Sequence, residues 1–228
     1  MESNLTNFSL PLTLGLDSTT NESVSIDLAK CGNILLAGST EQGKSNCIHN
    51  MISRMNALPT APEMILFDPK RCEFGRYKDR YRVIEDLEDA KRVLFEELFE
   101  NEIIGKRWSS DKDRSPLVII IDELLDLIFM HKSKSSKYVS DRNRYEAIIK
   151  ILDIGPELNI FTIISTQSSD KDILTKEVLD NCRTRIAFRT ITRQDSKLII
   201  MKSGAENLPG RGDAILYQEG NCRKIKCL

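Results

Sequence analysis

The chain has 228 residues, of which 40% are hydrophobic and 29% are charged, and this composition is typical of a globular protein with a sizeable core. With 33 basic and 34 acidic residues the net charge is -1, so the overall charge does not itself indicate a nucleic-acid partner. The start MESNLTNFSL lacks the basic segment and cleavage site of a secretory signal, and the apolar runs are too short to cross a bilayer. We therefore expect a cytoplasmic protein with reduced thiols, whose membrane attachment, if any, comes from segments or partners outside this chain.

The first thirty residues predict a β-hairpin, with strands near 10–16 and 22–27 around a polar turn. A short apolar strand at 33–38 ends on a glycine, and a helix follows from Lys44 to about Met55. Further along the chain the patterns predict buried strands at 63–68, 117–122, 159–166 and 184–190, helices at 85–104, 123–130, 145–153 and 194–201, a basic, serine-rich insertion at 131–144, and a closing hairpin around residues 219–221.

Apolar strands that alternate with helices predict a mostly parallel sheet with helices on both faces, so the fold class is α/β. Functional residues of such sheets lie at the carboxyl ends of the strands. No domain boundary is evident, and we expect one RecA-like domain over 1–228, in which 1–30 is a hairpin lead-in and 31–228 is an ATPase core.

The strongest motif is the GxxxxGKS sequence that follows the strand at 33–38 and begins the next helix. Glycines let backbone N–H groups surround phosphates, and the helix N-terminus adds its positive dipole. Lys44 would pair with the β and γ phosphates, and the Ser45 hydroxyl would bind Mg²⁺. The predicted ATP-binding residues are Gly38, Ser39, Thr40, Glu41, Gln42, Gly43, Lys44, Ser45 and Asn46.

A second motif, LVIIIDE at 117–123, carries two acids at the end of a buried strand. Asp122 is placed to hold Mg²⁺, and Glu123 to polarise the attacking water as general base. An acidic first turn of a helix is the structural alternative for this pair. Gln167, after the strand at 159–166, is a weaker candidate for contact with the γ-phosphate.

The order of these motifs resembles the motor domain of the FtsK/SpoIIIE family of chromosome translocases. The resemblance extends from LGLD (14–17) to LY (216–217) and includes LAKCGNILLAGSTEQGKS, ILFDPKRCEF and IIIDELLDL. Its most specific blocks are NCRTRIAFRTITRQDSK and GAENLPGRGDAILY. The matching positions in the second to fifth of these segments are Asp68, Pro69, Lys70, Glu73, Asp122, Glu123, Asp126, Leu127, Asn181, Thr184, Arg185, Ile186, Ala187, Phe188, Asp195, Ser196, Gly204, Ala205, Glu206, Gly210, Gly212 and Asp213.

The resemblance implies a homo-oligomeric, hexameric ring that threads double-stranded DNA through its pore and is driven by ATP. An arginine of one subunit would reach the ATP of the next, and Arg185 and Arg193 are the candidates, with a structural ion pair as the alternative. Loops 168–174 and 204–212 would face the pore and offer Lys171 and Arg211 to DNA phosphates.

The chain departs from the family pattern at two arginines, where Pro156 and Ser168 stand instead. It also lacks membrane segments, a linker and a winged helix, so we expect a divergent phage or mobile-element motor or an excised domain. Two alternatives remain open: a related ring ATPase that moves proteins, as in type VII secretion, and a non-catalytic nucleotide-binding scaffold.

Overall fold

The computed structural model describes residues 9–94, 98, 115–131, 139–140 and 142–227. Among these residues, ten strands form one sheet in the order β2-β1-β12-β11-β10-β3-β9-β6-β4-β5, and β7 pairs with β8 separately. The strands are β1 (Pro11–Asp17), β2 (Ser23–Asp27), β3 (Ile34–Ala37), β4 (Glu63–Phe67), β5 (Arg82–Ile84), β6 (Leu117–Ile121), β7 (Phe129–His131), β8 (Val139–Ser140), β9 (Ile160–Thr166), β10 (Thr184–Phe188), β11 (Asp213–Gln218) and β12 (Asn221–Cys227).

Six neighbouring strands, from β10 to β5, run parallel, and the hairpin strands add antiparallel pairs beyond β10. The connecting helices are α1 (Leu28–Cys31), α2 (Lys44–Asn56), α3 (Leu87–Arg92), α4 (Leu124–Ile128), α5 (Arg142–Ile154), α6 (Lys176–Asn181) and α7 (Arg193–Ile200), with 3₁₀ turns at Gly75–Tyr77, Gly155–Leu158 and Ala205–Asn207. The predicted α/β class with a mostly parallel sheet is confirmed.

The sheet separates two apolar cores because successive side chains of a strand point to opposite faces. In β3, Leu35 and Ala37 pack into one core, whereas Ile34 and Leu36 pack into the other. Every residue of β3, β6, β9 and β10 is buried, which explains why these strands are continuous apolar runs. Their carboxyl ends lie at one edge of the sheet, where the sequence motifs follow them.

The two terminal hairpins pair with each other, because β1 runs antiparallel to β12 with Gly15 opposite Cys227. A Cβ added at Gly15 would lie 2.0 Å from the Lys226 carbonyl oxygen, so this close pairing requires glycine. The predicted lead-in hairpin and closing hairpin therefore extend one continuous sheet.

Three predicted helices differ in extent. The helix predicted at 145–153 spans Arg142–Ile154, so it begins within the predicted insertion at 131–144. The helix predicted at 123–130 ends at Ile128, because Phe129–His131 forms strand pairing with Val139–Ser140. The helix predicted at 85–104 begins at Leu87 after the capping residue Asp86, and most of its second half lies outside the described residues. The rest of the predicted insertion, 132–138 and 141, is also outside them. Within the described ranges no helix is long and apolar enough to span a bilayer.

Candidate nucleotide-binding site

The glycine loop occupies the turn from β3 into α2, which is the structural context that a phosphate-binding loop requires. Gly38 has φ +147°, and a Cβ there would lie 2.8 Å from the Cβ of Phe188. Gly43, with φ +109°, is the residue before α2, and a Cβ there would lie 3.0 Å from the backbone N of Gly212. Both positions combine a positive φ with a close approach of another segment, so both require glycine.

Lys44 lies inside this loop with its side chain buried. Its Nζ donates to the carbonyl oxygens of Gly38, at 2.6 Å, and Ser39, at 2.7 Å. Burial lowers the pKa of Lys44 to about 8, although the nearby carboxylates of Glu123 and Asp122 oppose this shift. The loop therefore positions the ammonium, and its charge is lost as the pH rises through about 8.

Asp122 follows β6 and is tied to the end of β4 through its N–H, which donates to the Phe67 carbonyl at 3.0 Å. Burial, followed by the neighbouring acids Glu73, Asp68 and Glu123, raises the pKa of Asp122 to about 7. A concentration of acids that disfavours ionisation favours a bound cation, which would neutralise it.

The loop after β4 is organised by Asp68, which is completely buried. Its carboxylate accepts hydrogen bonds from the backbone N–H groups of residues 72–74, at 2.8–3.1 Å. This arrangement brings Lys70 and Glu73 to the nucleotide cavity, and Lys70 Nζ also lies 2.9 Å from Asp126 Oδ2. Lys70 and Glu73 thus lie at the candidate site, a position that the sequence motifs did not assign to them.

Glu123 is buried and has φ +66°. Its Oε1 accepts a hydrogen bond from Thr166 Oγ1 at 2.8 Å, and its Oε2 accepts one from the backbone N of Gln167 at 3.0 Å. The side-chain oxygen of Gln167 in turn accepts from Thr40 Oγ1 at 2.8 Å. These bonds connect the acid after β6, the end of β9 and the glycine loop.

A cavity of about 590 Å³ lies at this edge of the sheet. It is lined by the glycine loop, by the loops after β4, β6 and β9, and by the C-terminal hairpin, through Thr40, Glu41, Gly43, Lys44, Ser45, Asn46, Lys70, Cys72, Glu73, Asp122, Ser165, Gln167, Arg211, Gly212 and Cys227. Lysine and arginine groups suit phosphates, and the Ser45 hydroxyl with the Asp122 carboxylate provides the oxygen ligands that Mg²⁺ prefers. These residues fit a triphosphate with a bound magnesium ion.

The two candidate intersubunit arginines have very different surroundings. Arg185 is buried, and its guanidinium donates to the carbonyl oxygens of Cys182, Ile199 and Leu179 at 2.5–3.0 Å. The expectation that Arg185 reaches a neighbouring subunit does not fit this position, because its donors are used within its own chain. Arg193 instead has a 69% exposed side chain, with Nε 3.6 Å from Glu206 Oε1.

The two DNA-contact candidates are both exposed. Lys171 lies in the loop after β9, and Arg211, with φ +48°, lies at the mouth of the nucleotide cavity. Arg211 therefore lies beside the glycine loop, a position that the sequence motifs did not indicate.

Motif reasoning did not identify the contact between the glycine loop and the loop at 204–212. The backbone N of Gly212 donates to the Gln42 carbonyl at 2.8 Å, and Gly210 lies against the Gln42 side chain. The glycines of the GAE…GRGD block were the available signal. Cys227 lines the cavity because β12 pairs beside this loop, and nothing in the local sequence indicates that register.

Several known proteins resemble this chain in sequence and in fold. Residues 2–102 match the model of the FtsK/SpoIIIE family. DNA translocase FtsK of Leptospira interrogans is 32% identical over 222 residues, which cover 86% of this chain and 22% of the relative. The chain thus spans about a fifth of the length of that relative.

Among solved structures, the pCW3 conjugation coupling protein TcpA, with ATPγS, matches all of this chain and 68% of its own with a TM-score of 0.75 at 20% identity. The cytoplasmic domain of the type VII secretion ATPase EccC of Thermomonospora curvata matches all of this chain and 30% of its own, with a TM-score of 0.72 at 19% identity. These likenesses show a shared P-loop ATPase fold.

Proposed function

Since the chain belongs to the FtsK/SpoIIIE family, we propose that it hydrolyses ATP to move double-stranded DNA through a homo-oligomeric ring of six subunits in the cytoplasm. The observation that carries this proposal is the convergence of Lys44, Ser45 and Asp122 on one cavity, beside Glu123. A non-catalytic scaffold would have no need of this complete set.

Each residue has a distinct role in the proposed reaction. Lys44 would exchange its two carbonyl partners for phosphate oxygens, since a charged acceptor forms the stronger hydrogen bond. Ser45 and Asp122 would hold the magnesium ion, which when bound neutralises charge on the phosphate oxygens. Glu123 would accept a proton from the attacking water. Gln167 would orient that water or the γ-phosphate.

The proposed DNA contacts rest on exposed basic side chains of two loops. Lys171 and Arg211 would contact phosphates, and such contacts position DNA without reading its sequence. The ring itself rests on the family relationship. Within such a ring, exposed Arg193 is the better candidate for contact with the neighbouring subunit's ATP, because its donors are largely exposed.

A ring ATPase that moves proteins is the second candidate. The structural likeness to the type VII secretion ATPase EccC extends over the whole chain, so the fold does not distinguish the two substrates. Dependence on DNA distinguishes them, because a protein-moving motor has no reason to respond to a duplex.

The test is steady-state ATP hydrolysis with and without long double-stranded DNA at low salt, where phosphate contacts are strongest. We expect DNA to stimulate hydrolysis about tenfold or more. Glu123→Gln should bind ATP but lose turnover by about 10²- to 10⁴-fold, and Lys44→Ala should lose binding. Hydrolysis indifferent to DNA would favour the protein-moving motor, and ATP binding without any hydrolysis would favour the scaffold.

A further inference from the structure

Of the acids around Asp122, Glu73 is the one whose carboxylate is open to the nucleotide cavity. Burial raises the pKa of Asp122, and among the neighbouring acids Glu73 adds most to this effect. The oxygens of Asp68 accept from the backbone N–H groups of residues 72–74, and those of Glu123 accept from the end of β9. The side chain of Glu73 is instead 30% exposed and lines the cavity.

The carboxylate of Glu73 is held by His49 of α2. Nε2 of His49 lies 3.3 Å from Glu73 Oε2, and Nδ1 lies 2.9 Å from the Tyr77 hydroxyl oxygen. Because an ionised carboxylate can only accept, Nε2 carries the hydrogen of the first bond, and Nδ1 of the neutral ring accepts from the Tyr77 hydroxyl. Each ring nitrogen thus has a partner, which fixes the orientation of the ring.

Packing also restrains the ring of His49. The ring lies edge-on to Phe74, with centroids 6.0 Å apart and planes at 88°, and against Tyr77, with centroids 5.7 Å apart. Phe74 is completely buried, so it anchors the loop at the residue that follows Glu73. A side chain whose rotamer is fixed by packing and by two hydrogen bonds holds its partner in one direction. His49 therefore restrains the direction of the Glu73 carboxylate.

His49 lies one helical turn after Ser45, which would hold the magnesium ion. Residues four apart share a face of a helix, and their side chains point back towards its N-terminus. His49 therefore directs Glu73 towards the end of α2 where Ser45 and Asp122 line the cavity. A Mg²⁺ ion bound by phosphates and one or two protein ligands keeps several waters, and acceptors around such waters strengthen metal binding.

We propose that Glu73 accepts hydrogen bonds from water bound to the magnesium ion of the nucleotide, and that His49 is a positioning residue that aims this carboxylate. The inference rests on the proposed function, in which Ser45 and Asp122 hold the ion. Within the described part of the chain, neither His49 nor Tyr77 lines the cavity. Both contribute to metal affinity through the direction of one carboxylate.

The same loop and helix offer a matched control. The Tyr81 hydroxyl donates to Asn56 Oδ1, so this bond also joins the loop after β4 to α2, but it involves neither Glu73 nor His49. Replacing Tyr77 or Tyr81 by phenylalanine removes one hydroxyl at nearly constant volume. A loss shared by both variants would reflect the attachment of the loop to the helix. A loss confined to Tyr77→Phe reflects the direction of the Glu73 carboxylate.

The test measures the affinity for the slowly hydrolysed ATP analogue AMPPNP by titration calorimetry, with Mg²⁺ and with EDTA. Wild-type protein should bind more tightly with Mg²⁺. With Mg²⁺, Glu73→Gln should lose about tenfold in affinity and His49→Leu about three- to tenfold, whereas neither should lose affinity in EDTA. His49→Gln, whose amide N–H can replace Nε2, and Tyr81→Phe should bind as wild type does. The affinity of the AMPPNP complexes for Mn²⁺, measured by electron paramagnetic resonance, should follow the same order.

The proposal is overturned if Glu73→Gln binds AMPPNP as tightly as wild type with Mg²⁺, or if His49→Leu loses equal affinity with Mg²⁺ and with EDTA. Should His49→Leu fail to fold in a thermal unfolding assay, Tyr77→Phe tests the same step, with an expected loss of about two- to threefold with Mg²⁺ only. Wild-type protein that binds AMPPNP equally with and without Mg²⁺ would overturn this inference and the proposed magnesium site. Hydrolysis indifferent to DNA would contradict only the proposed DNA motor.

Discussion

The hydroxyl of Thr40 in the glycine loop donates to the side-chain amide oxygen of Gln167, with 2.8 Å between the two oxygens. Gln167 also donates its backbone N–H to the carboxylate of Glu123. One residue therefore contacts the loop that would surround the phosphates and the acid that would act as base. Its side chain contacts the glycine loop, and its backbone N–H binds the Glu123 carboxylate.

Replacing Gln167 by leucine should affect turnover more than binding. The backbone bond to Glu123 persists in this variant, but the contact with Thr40 and any contact with the γ-phosphate are lost. We expect kcat to fall about ten- to a hundredfold, as for the loss of one polar group at a reacting centre. The dissociation constant of ATP, measured by titration calorimetry, should change much less. An equal loss of affinity and kcat would contradict the assigned role.

The affinity for ATP should fall at alkaline pH because burial lowers the pKa of Lys44 to about 8. Below this pH the free protein already carries the ammonium that pairs with phosphate. Above it Lys44 is neutral, so ATP binding must take up a proton, and affinity decreases about tenfold for each further pH unit. Calorimetric titrations between pH 7 and 9.5 measure this dependence.

The control for this experiment is Lys44→Arg, whose guanidinium remains charged throughout the same range. Its affinity is expected to be lower, since the loop is shaped around a lysine, but independent of pH. A wild-type affinity that stays constant from pH 7 to 9.5 would show that Lys44 keeps its proton, contrary to the prediction.

We expect Arg185 to contribute to the stability of the fold and Arg193 to contribute to function instead. Removing Arg185 leaves three main-chain carbonyls of the interior without their donors, so Arg185→Ala should lower the free energy of unfolding by about 3 kcal/mol. Arg193→Ala removes an ion pair at 3.6 Å whose arginine is 69% exposed, and it should change the free energy of unfolding by less than about 0.5 kcal/mol. Urea denaturation of the wild-type protein and both variants measures these changes in the free energy of unfolding.

Arg193→Ala should nevertheless reduce DNA-stimulated hydrolysis, by about a hundredfold or more if this arginine acts on a neighbouring ATP. The exposed Lys197 of the same helix provides the matched control, Lys197→Ala, which should hydrolyse ATP normally. Mixing Arg193→Ala subunits with Lys44→Ala subunits should restore part of the activity. In a mixed ring, the Lys44→Ala subunit provides Arg193 to the intact ATP site of a neighbouring Arg193→Ala subunit. No recovery in the mixture argues for a role within one subunit.

Much of the fold was predictable because the signals are local. Buried parallel strands such as Ile160–Thr166 are continuous apolar runs, and the glycine loop requires its glycines for reasons that act within a few residues. The cluster of Lys44, Ser45 and Asp122 followed from two motifs at the ends of strands, since parallel strands share a carboxyl edge.

What could not be predicted depends on register and on competition between distant segments. The pairing of Gly15 with Cys227 joins residues from opposite ends of the chain, so no local pattern indicates it. Arg185 falls in a block shared with the family, and only the burial of β10 shows that its guanidinium is used inside the chain. The hydrogen bond from Thr166 to Glu123 likewise requires the neighbouring positions of β6 and β9.

The proposed DNA contacts of Lys171 and Arg211 can be distinguished by the salt dependence of DNA affinity. Each phosphate contact releases about one counterion, so Lys171→Ala should reduce the slope of log K against log salt by about one and weaken binding equally for all sequences. Arg211 also lines the nucleotide cavity, so Arg211→Ala should in addition weaken ATP binding. Lys202→Ala is the control, because this exposed lysine lies outside both loops and contacts the Gly220 carbonyl. A slope that is the same in Lys171→Ala, Lys202→Ala and wild type would place the DNA path elsewhere on the ring.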